Sequence, residues 1–149
     1  ARGLERWTID PATGTVAIAT IDATPQEFPR PDERRFGQPY RYAYAMAVPT
    51  DPAAEFIGDT RLFRHDLVEG TRQVHDFGPR RHPGEFVFVP ASEDAAEGEG
   101  WLMGFVVDMA KDTTDFVVLD AMRFEDPPVG VVHLPHRVPA GFHGNWVAG

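Results

Sequence analysis

The chain has 149 residues, 42% apolar and 25% charged, a profile that fits one water-soluble globular unit. Its 23 acidic and 14 basic residues leave a net charge of −9, and the basic residues are scattered among Pro, Asp and Glu, so no cationic stripe tracks phosphates and nucleic acid is excluded as a partner. With no cysteine, disulfides, thiolate metal sites and cysteine nucleophiles are ruled out, and any metal must use imidazole or carboxylate. Apolar runs such as 86–89 and 105–107 fall far short of the ~20 residues that span a bilayer as a helix.

The opening stretch, Ala1 to Trp7, has no initiator Met, charged leader or apolar signal core, and reads as a cut inside a longer chain. Strand-length runs follow in order: Leu4 to Ile9, Thr15 to Ile21, Tyr40 to Val48, Thr60 to Asp66, Arg72 to Phe77, Glu85 to Pro90, Trp101 to Asp108, Asp115 to Ala121 and Gly130 to Leu134. None keeps an apolar face at helical spacing for three turns. Fourteen prolines and fourteen glycines interrupt the chain too often for long helices. The fold class is all-β, and residues 1–149 form one structural unit.

Two stretches repeat the pattern aromatic-x-x-Asp-x-x-x-Gly-Thr: Trp7 to Thr15 and Phe63 to Thr71, 56 positions apart. In each, Asp closes a turn with its own carboxylate and Gly supplies a positive φ before the return strand. The offset lies near the ~40–50 residue period of propeller blades, each a small antiparallel sheet. The segment Ala91 to Gly100 is acidic and aperiodic, and reads as an exposed loop.

His133, His136 and His143 cluster near the end, and neutral imidazole suits several transition metals. A small site built from these three is one reading. Surface histidines are the other, since residues three apart on a strand face opposite ways. His143 sits between Gly141 and Gly144, beside Phe142 and Trp146, where a backbone can approach a ligand closely. A structural turn histidine is the plain alternative. His65, His75 and His82 lie among Arg and Asp, where solvated or salt-bridged histidines are expected.

Glu27 and Glu85 stand out because each is a lone acid next to apolar residues, an expensive position without a partner. One partner is the ring N–H of a metal-bound histidine; the plain alternative is a strand-end glutamate that faces solvent or pairs with an arginine such as Arg30 or Arg81. No Gly-x-Ser-x-Gly elbow and no phosphate-cradling glycine loop is present, which removes hydrolase and nucleotide-binding readings.

Four blocks carry a resemblance: Phe28-Pro29-Arg30 with Gly37-Gln38-Pro39-Tyr40-Arg41-Tyr42; Gly84-Glu85-Phe86-Val87-Phe88-Val89-Pro90; Gly104-Phe105-Val106-Val107-Asp108; and Arg137-Val138-Pro139-Ala140-Gly141-Phe142-His143-Gly144-Asn145-Trp146. Over nearly its whole length the chain resembles the C-terminal third of the carotenoid cleavage oxygenases, including their apocarotenoid- and stilbene-cleaving members. The resemblance implies the C-terminal blades of a seven-bladed β-propeller with an axial Fe(2+) on four histidines, three of them braced by glutamates. His143 matches the fourth metal ligand, Glu85 its brace, and Glu27 the brace of a ligand upstream. The remaining ligands would precede Ala1. Phe142 and Trp146 are candidate substrate-tunnel residues.

The implied activity is cleavage of a carbon–carbon double bond in an apolar conjugated substrate by O2, giving two carbonyl products. The expected location is the cytoplasm. Substrate choice belongs to loops spread over all blades, and any membrane contact to a substrate-loading apolar patch outside this piece. The contrasting reading is a self-contained β-domain with a binding role and no catalysis. A partial propeller would instead associate through exposed strand edges and inner faces.

Overall fold

A computed structural model describes residues 3–51, 53–54, 58–139 and 141–147. Ala1 and Arg2 of the opening stretch and Ala140 of the last block lie outside the described residues. Ten strands follow in order: β1 (Leu4–Asp10), β2 (Thr15–Asp22), β3 (Gln26–Pro31), β4 (Tyr42–Ala47), β5 (Arg61–Asp66), β6 (Thr71–Asp76), β7 (Arg81–Pro90), β8 (Gly100–Asp108), β9 (Thr113–Asp120) and β10 (Gly130–Leu134). A 3-10 turn at Glu33–Arg35 is the one helical piece among the described residues.

All nine expected strands form. The tenth, β3, was hidden because Pro29, Pro31, Glu27 and Arg30 break every strand pattern. β7 also starts earlier than its apolar run, taking in Pro83 and Gly84.

β1 and β2 form a hairpin, β3-β4-β5-β6 one antiparallel sheet, and β7-β8-β9-β10 another. Each four-stranded sheet runs strand to next strand in chain order, which is the construction of a propeller blade. The turns that make this possible share one device. Strands β1, β2, β5, β6, β8 and β9 all end on Asp, and Asp10, Asp22, Asp66, Asp76, Asp108 and Asp120 each accept the backbone N–H two residues on, at 2.8–3.1 Å. Gly14 and Gly70 then take positive φ of 68° and 66°, as the repeat predicts. The β8–β9 turn has the same layout with Asp112 at φ 53° in place of Gly. That substitution concealed a third copy of the pattern.

The core lies between the two blades. Tyr42, Tyr44 and Met46 of β4 meet Phe86 and Phe88 of β7, Leu102 and Val106 of β8, and Val117 and Leu119 of β9. Tyr44 and Phe88 stack with planes 4° apart and centroids 6.0 Å apart. Gly104 sits mid-strand because a Cβ there would lie 2.5 Å from the Phe86 ring. On the other side of β4, the small residues Ala43, Ala45 and Ala47 are buried, and Ala43 shares a crevice with Leu4, Trp7 and Ile21 of the hairpin. The order of layers is thus hairpin, first blade, second blade.

Both ends of this stack are apolar and open. On the hairpin, Trp7 faces Ile18 across the strands and Ile9 faces Val16, and all four are at least 55% exposed. At the far end Phe105, Phe116 and Val132 share one face of the second blade, with Phe105 and Val132 exposed. The acidic segment 91–99 is a surface loop as expected, yet it is fastened. Arg34 donates to the carbonyls of Ser92, Glu93 and Ala95, and the Glu97 carboxylate accepts the backbone N–H groups of Arg41 and Tyr42.

Candidate metal centre

The first strand of each blade carries the same irregularity at a glutamate. In β3 the register advances between Glu27↔Met46 and Arg30↔Tyr44, so Phe28 and Pro29 together oppose Ala45. In β7 it advances between Pro83↔Val106 and Phe86↔Gly104, so Gly84 and Glu85 together oppose Phe105. A one-residue bulge re-aims a side chain out of the sheet's alternation, and here it does so at Phe28-Pro29, directly after Glu27, and at Gly84-Glu85. Phe28 pays a backbone cost for its position, with φ 53° in an aromatic residue.

Glu85 is the hub. Its side chain is 5% exposed, and burying a lone carboxylate is costly unless charge and hydrogen bonds compensate. Three donors do so. Arg30 Nη1 reaches Oε1 at 3.0 Å, the Gly144 N–H reaches Oε2 at 2.9 Å, and His143 Nδ1 reaches Oε1 at 3.3 Å. The sequence offered a histidine or an arginine as the partner of Glu85, and the fold provides both. Because a carboxylate accepts at Nδ1, that nitrogen carries the proton and Nε2 keeps its lone pair. The His143 ring, 69% exposed, packs edge-on to Phe28 at 5.1 Å.

A cleft of about 200 Å³ opens beside this turn, walled by Phe105, Val107, Val138, Pro139 and Phe142, with Glu85 and His143 as its polar members. Phe142 therefore joins His143 at one opening, whereas Trp146, 54% exposed, lies outside the lining. Glu27, half-buried at the neighbouring bulge, borders a separate crevice with Leu4, Glu5, Trp7, Gln26 and Pro29. The two glutamates thus serve different surroundings.

The remaining histidines go elsewhere. His133 Nδ1 bonds the buried Asp115 at 2.6 Å, and Arg81 holds the other oxygen of Asp115 at 2.6 Å. Among the described residues no three His, Asp or Glu groups converge to hold a metal, so the small His133–His136–His143 site does not form. His65 and His75 are buried, contrary to the solvated or salt-bridged expectation. His65 Nε2 donates to Gln26 Oε1 at 2.7 Å and His75 Nδ1 to the Phe124 carbonyl at 2.9 Å. Burial lowers the pKa of His65, and the neutral Gln26 amide suits its neutral ring.

Phe28 and the cleft residues Val107, Val138 and Pro139 carried no individual signal in the sequence beyond their membership in the resembling blocks, and Arg30 stood out only as one possible partner of a lone glutamate. What the residues present do fit is a metal ligand: an imidazole with one nitrogen fixed by a buried carboxylate and the other left basic is the standard dress of metal-bound histidine.

The fold and the site together give antiparallel propeller-type blades in which a glutamate on the first strand of the second blade, Glu85, braces a histidine of the C-terminal segment, His143. The sequence model of the retinal pigment epithelial membrane protein family matches residues 1–148, and the chain belongs to that family. It is 41% identical over 148 residues to a carotenoid cleavage oxygenase of Mycobacterium tuberculosis, covering 96% of this chain and 28% of that protein. Lignostilbene-alpha,beta-dioxygenase isozyme III of Sphingomonas paucimobilis is 33% identical over 153 residues, covering 96% of this chain and 31% of the relative. Cobalt-substituted Synechocystis apocarotenoid oxygenase superposes with a TM-score of 0.88 at 32% identity, covering 99% of this chain and 30% of that one. The chain spans less than a third of the length of these relatives.

Proposed function

We propose that this chain contributes one histidine ligand, His143, and two carboxylate braces, Glu85 and Glu27, to the Fe(2+) centre of an oxygenase. The enzyme cleaves a carbon–carbon double bond of an apolar conjugated substrate, carotenoid, apocarotenoid or stilbene in class. One alkene and one O2 give two carbonyl groups, so every atom of both reactants appears in the products. A ferrous ion bound there supplies the electron exchange that lets O2 react with a closed-shell alkene. The names of the relatives, a carotenoid cleavage oxygenase and a lignostilbene dioxygenase, support the substrate class.

The protein's own part is positional. Glu85 fixes the tautomer and orientation of His143, raises its basicity, and offsets part of the charge that neutral imidazoles leave on a divalent ion. Glu27 stands ready to do the same for a histidine outside this chain. Phe142, Phe105, Val107 and Pro139 wall the cleft with hydrocarbon, which suits a polyene. The observation that carries the reading is the bond from His143 Nδ1 to a buried carboxylate.

In the full-length protein, His143→Ala is expected to lose both bound iron and polyene cleavage, measured by metal analysis and by the appearance of carbonyl products. Retention of either at wild-type level would refute the assignment. The reading of a self-contained binding domain finds less support, because both ends of the layered stack present apolar faces of the kind that neighbouring blades cover.

A further inference from the structure

The segment that carries His143 has little packing of its own. Phe142, His143 and Trp146 are all more than half exposed, so something other than burial must hold the histidine in place. Its polar ties run to Glu85 on β7 and to one strand and one turn of the preceding blade. Arg30, on β3, places Nη1 between Glu85 Oε1 at 3.0 Å and the Gly144 carbonyl at 3.2 Å. Its Nη2 bonds the Glu33 carboxylate and reaches Asn145 Oδ1 at 3.3 Å. Asn145 closes the figure by donating Nδ2 to Glu33 at 3.2 Å, while its Oδ1 also accepts the N–H of Trp146 at 2.9 Å.

We infer that Arg30 is a positioning residue for the metal centre: its planar fork clamps the His143 turn to β3 and sets how much of the Glu85 charge reaches the histidine. The inference rests on His143 being a metal ligand and adds a residue that touches neither metal nor substrate. Two features single out Arg30. Its side chain is 15% exposed, and its bonds to the Glu85 and Glu33 carboxylates are partly buried and charge-assisted. And it shares an oxygen with the histidine: Glu85 Oε1 accepts from Arg30 at 3.0 Å and from His143 at 3.3 Å. A guanidinium on that oxygen withdraws electron density that His143 would otherwise receive. Arg30 therefore tunes the donor strength of the imidazole as well as its place. Lysine keeps the charge but has no rigid fork with which to bond Glu85, the Gly144 carbonyl and Asn145 together.

The test uses full-length protein with Co(II) or Fe(II) alone. In Arg30→Lys, metal affinity is expected to fall about tenfold and the visible bands of the cobalt form to shift, while the melting temperature of the metal-free protein stays near wild type, since outer partners of metal ligands are worth about 10–100-fold. Asn145→Ala, at an exposed position, is the second variant and is expected to move the same readouts in the same direction by less. Combining Arg30→Lys with Glu85→Gln should cost less than the product of the separate losses, because both act through one carboxylate. Wild-type affinity and an unshifted cobalt spectrum in both Arg30→Lys and Asn145→Ala would overturn the inference, and so would fully multiplicative losses in the double variant. His143→Ala separates the two levels of the argument. If it keeps the metal, the metal-centre reading fails and takes this inference with it. If it loses the metal while Arg30→Lys behaves as wild type, only the role of Arg30 falls.

Discussion

Single side chains in this protein are placed by hydrogen bonds to buried charges, and the consequences appear as pH dependence. His65 is buried against Gln26, and burial holds its pKa below the ordinary histidine value. The unfolded chain binds a proton near pH 6.5 that the folded chain resists. The stability this ring contributes is therefore complete above about pH 6.5 and is lost as pH falls from there through the lowered folded pKa. Melting temperature is expected to decline on mild acidification, and His65→Gln should flatten that first decline. An unchanged slope in the variant would remove His65 as its origin. Asp115 shows the opposite chemistry in a comparable place. Burial alone would raise its pKa, but hydrogen bonds from His133 and Arg81 outweigh it and keep the carboxylate ionised. The same logic makes Glu85 tolerable: a buried acid survives because an arginine and two N–H groups meet it.

At the scale of the element, the Asp that ends a strand is the recurring part. Asp66 is held below the ordinary carboxylate range by the side chain of Arg41 and then by the N–H groups of Glu69 and Val68. Asp108 is held there by the N–H groups of Ala110 and Lys111 and by the Lys111 side chain, against the opposing effect of burial. Stability from such turns is present above about pH 4 and is lost as pH falls through the lowered folded values, a second acid window distinct from that of His65. Asp112 offers a test of turn chemistry in isolation. It occupies the left-handed position that Gly14 and Gly70 take in the sister turns, a conformation that costs most residues about 1 kcal/mol or more. Asp112→Gly is expected to stabilise the full-length protein by roughly 0.5–1 kcal/mol, read from the denaturation midpoint. A loss of stability would mean that the Asp side chain contributes more than its backbone costs. Bulges are the other recurring part, and they explain why β3 was missed and β7 shortened in the sequence. A strand that must aim a glutamate out of register departs from period-2 patterning at that point.

For the molecule as a whole, two blades and a hairpin bury one core and leave apolar faces at both ends. Trp7, Ile9, Val16 and Ile18 on one side and Phe105 and Val132 on the other are exposed, and such faces attract partners. The 149-residue chain on its own is expected to associate with rising concentration, as measured by sedimentation. Trp7→Lys with Ile18→Lys should reduce that association. A monodisperse monomer across the concentration range would favour a self-contained domain over a part of a larger propeller.

Nine of the ten described strands, the two Asp-to-Gly turns and the all-β class were legible in the chain because they depend on local patterns: alternation, Asp at strand ends and Gly at positive φ. The resemblance singled out His143, Glu85 and Glu27 one by one. The resemblance also paired Glu85 with His143; what only the tertiary structure decided is how they meet, with Arg30 and the Gly144 N–H on the same carboxylate. Glu85 and His143 are 58 residues apart and Arg30 is 55 residues from Glu85. No local pattern encodes a bond across that span, and the bulges that aim these side chains disrupt the very periodicity by which a sequence reveals its strands.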